Sequence, residues 1–158
     1  MYKKILAPLD GSELAECALE HVNAIATGCK VPEIILFRVV EPIYSGAAAL
    51  PEGAMMYAEL IEQSQKDAEL YIASIADKFK QKYNIPAKSV LANGNAAEEI
   101  LEYVKKNDVD LIIMTTHGRS GVSRFLFGSV ADKVSRHSAV PVLIISPPGC
   151  RIATDQPV

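Results

Sequence analysis

A chain of 158 residues that is 49% hydrophobic and 22% charged, with 9 Gly and 9 Pro, has the make-up of one ordinary globular domain and excludes a disordered or fibrous protein. Its formal net charge of −3, with 16 basic residues scattered along the chain, supplies no basic stripe to neutralise a nucleic-acid backbone, so nucleic acid is not an expected partner. Cys17, Cys29 and Cys150 show no CxxC spacing and no set of histidine partners for a zinc site, and read as reduced thiols; with no signal-peptide core and no run of membrane-spanning length, a cytoplasmic protein without a membrane partner is expected.

Taken in chain order, "KKILAPLD" is a short apolar run closed by Pro8, Asp10 and Gly11, which predicts a first strand ending in a turn. "SELAECALEHVNAIATG" repeats its apolar residues at helical spacing, with Ser12 or Asp10 able to cap the start and Gly28 a stop. "EIILFRVV" is a second strand, too continuously apolar to have a solvated face. From Glu41 to Ala54 the Pro, Gly, Ala and Ser content predicts a surface loop. A long helix follows, with Tyr57, Ile61, Ser64, Ala68, Ile72, Ile75 and Phe79 on one face, ending near Asn84 before Pro86.

"AKSVLANG" is a third strand, and "NAAEEILEYVKKN" a third helix with acids early and lysines late, as the helix dipole favours. "VDLIIMT" is a fourth strand, "SVADKVSRHS" a fourth helix and "VPVLIIS" a fifth strand. Residues 1–146 thus form one domain, and 147–158 a loose tail. Strand and helix in alternation, with apolar strands, imply a parallel sheet covered on both faces by right-handed crossovers. Ligands of such sheets bind beyond the carboxyl ends of the strands, where the strand order reverses. Periodicity leaves that order open between 3-2-1-4-5, with the crevice between strands one and four, and 2-1-3-4-5, with it between strands one and three.

Two stretches can carry chemistry. In "MTTHGRSGVSRFLFGSV", Ser129 sits where it can cap the following helix, with Asp132 three residues on in capping-box position. The same helix start offers backbone N–H groups and the positive end of a dipole, and the glycines before it let a phosphate approach the main chain. Neither a Walker loop nor a dinucleotide fingerprint is present. Asp10, past the first strand, can accept hydrogen bonds from a ribose or from a helix start. His117, Ser120 and Ser123 can meet a phosphate, or simply be loop residues. The chain shows no nucleophile elbow, metal-ligand cluster or paired acid and base, so it does not read as an evident enzyme.

The start "KKILAPLDGSELAECAL", the "RVVEP" ending of the second strand and above all "IIMTTHGRSGVSRFLFGSVADKVSRHSAVPVLII" resemble the universal stress proteins, from Lys3 to Ser146. That resemblance implies a three-layer, doubly wound, Rossmann-like α/β fold with a five-stranded parallel sheet of order 3-2-1-4-5. It also implies a homodimer paired through the fifth strand, Val140 to Ser146, and in one branch ATP bound at G-x2-G-x9-G-S/T. Here Gly118, nine residues, Gly128 and Ser129 match the later part of the pattern, and Thr115 stands at its first glycine. By the same resemblance adenine lies beside Val39 and Met114, the ribose near Pro8 and Asp10, and the phosphates over Gly118, Gly128, Ser129 and Val130. Thr115, His117 and Arg119 complete this candidate ATP site, with Mg2+ held by the phosphates rather than by side chains.

The implied function is an ATP-binding, dimeric stress-response regulator acting on an unidentified protein client. A nucleotide-free dimeric scaffold is one alternative. The other is a slow ATPase or self-phosphorylating protein, suggested by the hydroxyls of residues 115–123.

Overall fold

The computed structural model describes residues 1–42, 51–116 and 128–146, and the side chains of all of these but 51–54. The expected tail, most of the Glu41–Ala54 loop, and His117, Gly118 and Arg119 lie outside the described residues. Strands β1 (Lys4–Pro8), β2 (Glu33–Val40), β3 (Lys88–Asn93), β4 (Leu111–Thr115) and β5 (Val142–Ile145) alternate with helices α1 (Glu13–Glu16), α2 (Ala18–Cys29), α3 (Pro51–Tyr83), α4 (Ala96–Lys106) and α5 (Ser129–His137). The strands form one sheet in the order β3-β2-β1-β4-β5, parallel throughout, as the family resemblance implies.

Each face of the sheet carries its own core, because successive side chains of a strand point to opposite faces. Ile5, Ala7, Ile34, Leu36, Leu111 and Ile113 pack with residues of α1, α2 and α3, including Ile72, Ile75 and Phe79 of the expected stripe. Leu6, Ile35, Phe37, Val39, Ile112 and Met114 pack on the other face with Ala97, Ile100 and Val104 of α4 and Ala131 and Val134 of α5. The central strands are buried on both sides, which is why they read as continuous apolar runs.

Several local expectations are corrected, each by backbone bonding. The first predicted helix is two: the ladder breaks at Cys17, whose N–H turns to the Ala15 carbonyl while its Sγ donates to the Glu13 carbonyl at 3.6 Å. Gly28 does not stop α2. The stop is Lys30, left-handed at φ 53°, whose N–H donates to Thr27 O while Val31 N–H donates to Ala26 O at 2.9 Å and buries its side chain. This is the paired-carbonyl closure usually built on glycine. Helix α3 begins at Pro51, inside the stretch expected to be loop, with proline at the first helical position, where its missing N–H costs nothing. Ser129 is not the cap of α5 but its first residue; the N-cap is Gly128, and the Asp132 carboxylate pairs with Arg136 Nε at 2.9 Å.

The turn from β3 into α4 depends on Gly94. Its φ is +147°, its N–H donates to Val40 O at 3.1 Å, and a Cβ placed there would lie 2.5 Å from Glu99 Oε1. Gly94→Ala is expected to destabilise the protein by about 1–3 kcal/mol in urea unfolding. Removing the flexible partner as well, in Gly94→Ala/Glu99→Ala, relieves only the contact, so most of the loss remains.

Candidate functional site

Strand order reverses between β1 and β4, whose neighbours are β2 and β5. Beyond the carboxyl ends of β1, β2 and β4 lies a cavity of about 450 Å³. Its wall includes Pro8 and Asp10 from the end of β1, Val39 from β2, Met114 and Thr115 from β4, and Gly128, Ser129 and Val130 from the start of α5. Every expected site residue that falls within the described residues therefore borders one cavity. Thr115 lines that space without filling it. Leu111 and Ile113 share the α1–α3 face and Met114 the opposite one, so alternation along β4 gives Thr115 the face away from Met114.

Backbone register makes the β2 side of the cavity polar. The last pairing of β1 with β2 is Pro8 with Phe37, followed by a bond from Leu9 N–H to Phe37 O at 2.8 Å. Alternate residues of a parallel strand turn both backbone groups to the same neighbour, so Val39 presents its N–H and C=O toward a strand that has already ended. A planar ring with adjacent donor and acceptor matches that pair.

Two helix starts face the cavity, and they differ. At α4 the chain supplies its own anions and acceptors: Asn95 Oδ1 accepts from Glu98 N–H and Glu41 Oε1 from Ala96 N–H, both at 3.3 Å. At α5 the N-cap is a glycine and makes no side-chain bond to the helix. The Gly128 amide is not one of the available donors, contrary to expectation, because it donates to Thr116 O at 2.7 Å. The first bond of the α5 ladder runs from Asp132 N–H to Gly128 O at 2.9 Å. The amides of Ser129, Val130 and Ala131 thus precede the ladder at the positive end of the helix.

On the β1 side the Asp10 carboxylate is oriented by its neighbour. Its Oδ1 accepts from Ser12 N–H at 2.9 Å and from Ser12 Oγ at 2.6 Å, while Ser12 caps α1 by accepting from Ala15 N–H at 3.2 Å. Ser12 rather than Asp10 is therefore the cap. Nearby, Tyr71 of α3 donates to Glu16 Oε1 at 3.0 Å. Burial pushes the Tyr71 hydroxyl well above the usual tyrosine range, helped by the Glu16 and Asp10 carboxylates and opposed by Arg38.

Arg38, Glu41, Ser64, Ala96 and Thr116 also border the cavity and were not expected there. Arg38 carried a signal, as the one charge within the apolar run "IILFRVV". Ser64 and Ala96 carried none, since each lies at an ordinary helical position. Among the described residues, no group of three or more His, Cys, Asp or Glu is arranged to hold a metal, and no helix is long and apolar enough to cross a membrane.

The family model described as "Universal stress protein family" matches residues 1–146. Universal stress protein MJ0577 of Methanocaldococcus jannaschii is 34% identical over 156 residues, spanning 92% of this chain and 95% of its own. A solved structure of MJ0577 superposes with a TM-score of 0.78 at 33% identity, covering 92% and 96% of the two chains. This chain belongs to the universal stress protein family. More distant members share the fold: a universal stress protein in complex with cAMP (TM-score 0.63, 20% identity, 92% and 98% covered) and an Arabidopsis thaliana member with AMP bound (TM-score 0.63, 16% identity, 91% of both chains).

Proposed function

We propose that this protein binds ATP at the crevice between β1 and β4 and acts in the cytoplasm as a dimeric stress-response regulator. The observation that carries the reading is the start of α5: a helix terminus whose N-cap is a glycine, opening onto a cavity that also holds a backbone donor–acceptor pair and an oriented carboxylate. The triphosphate would sit on the amides of Ser129 and Val130, with Gly118, His117 and Arg119 beside it. The adenine would lie between Val39 and Met114, and Asp10 would accept from the ribose beside Pro8. Mg2+ would be carried by the phosphates. That fold relatives are described with cAMP and AMP supports an adenine nucleotide as the ligand class.

Two copies would pair through β5. It is one edge of the sheet, bonded to β4 on one side, and Leu143 stands 36% exposed on it. An apolar strand edge is a ready template for a second copy. Equilibrium titration of the nucleotide-stripped protein tests the reading. Saturable binding of one ATP per chain is the expected result, and no measurable affinity overturns it.

A further inference from the structure

Position 38 breaks the pattern of β2. Ile34 and Leu36 on the same face of the strand are buried in the core under α1–α3, and alternation puts Arg38 on that face too, half-buried and bordering the cavity. A guanidinium is costly to remove from water unless its donors are used. Arg38 Nη1 donates to the carbonyl of Leu9 at 3.4 Å. Leu9 is thereby held by β2 at both backbone groups, its N–H by the Phe37 carbonyl and its C=O by the Arg38 side chain. The next residue is Asp10.

From the other side Asp10 is held by Ser12, the cap of α1, and α1 is tied to α3 through Glu16 and Tyr71. Tyr71 feels the charges of both Asp10 and Arg38, and so stands within electrostatic reach of each. The carboxylate thus stands at the end of a segment clamped from β2 and braced from α1. We infer that Arg38 is a positioning residue that fixes the Asp10 carboxylate for a ribose bearing both hydroxyls, and so sets the sugar preference of the site. This rests on the ATP reading above.

The test compares ATP with 2′,3′-dideoxy-ATP on the full chain, for wild type, Arg38→Met and Arg38→Lys. Met keeps the apolar stem and removes the donors; should it fail to fold, Arg38→Gln carries the same comparison. Wild type is expected to prefer ATP by about tenfold, the scale of a hydrogen bond to a charged group. In Arg38→Met the preference falls to near unity while the affinity for the dideoxy nucleotide is kept, and Arg38→Lys restores most of it. A preference that survives in Arg38→Met overturns the inference, as does an equal loss for both nucleotides, which would mark direct phosphate contact or a damaged fold. Wild type binding both nucleotides equally also overturns it. Wild type binding neither overturns the ATP reading itself.

Discussion

Gly128→Asp is expected to abolish tight ATP binding in a protein at least as stable as wild type. Gly128 caps α5 with φ −56° and ψ 147°, an extended conformation open to any residue, so aspartate brings no backbone strain. Its carboxylate would accept from the amides of the first turn and place a negative charge at the positive end of the helix, adding from a few tenths to about 1 kcal/mol of stability. The same carboxylate then occupies the seat proposed for the phosphates. Losing two hydrogen bonds to charged oxygens corresponds to about 3 kcal/mol or more, a fall in affinity of at least about 100-fold. Calorimetric titration and thermal unfolding of Gly128→Asp beside Gly128→Ala read both quantities. An Asp variant that binds ATP as wild type does would remove the phosphates from this helix. The opposed signs separate a filled site from a broken fold.

Phe37→Ala carries the largest expected cost to the fold. The ring is 1% exposed, lies 4.8 Å from the Tyr103 ring and borders the cavity from the α4–α5 face. Truncating such a side chain costs about 3–5 kcal/mol, from lost transfer energy and from the void left behind. Against a typical total of about 5–15 kcal/mol, that brings the protein close to unfolding. Urea denaturation measures it. A loss below about 1 kcal/mol would mean that the site floor collapses and repacks freely, which a parallel strand held on both sides by β1 and β3 opposes.

The alternation of elements was legible because its signals are local. Apolar runs marked β1, β2, β4 and β5, and helical spacing marked α2, α3 and α4, with Asn95 capping α4 where acids follow in its first turn. Strand order was not legible from periodicity, since nothing in the run "VLII" says which strand it will lie against; the resemblance supplied it. Boundaries failed where backbone closure used an unusual residue, as at Lys30, or a favourable one in unlikely company, as at Pro51.

The site divides in the same way. Pro8, Asp10, Val39 and Met114 sit at strand ends, which the fold class alone marks as places where ligands gather. Glu41 and Arg38 act across the sheet, one on a helix start 55 residues away and the other on a carbonyl 29 residues back. Such pairings exist only once the strands are in order. The Gly128 amide is the converse case: a glycine before a helix lets a phosphate approach the main chain, yet the turn out of β4 consumes this N–H on Thr116.

The first turn of α5 and the end of β2 are proposed to hold one adenine nucleotide between them. Amide chemical shifts of the isotope-labelled protein, followed as ATP is added, test this most directly. Saturable shifts are expected at Ser129, Val130, Ala131 and Val39, with the amides of β5 unmoved. Shifts that leave the α5 amides in place, or that gather at another surface, would contradict it.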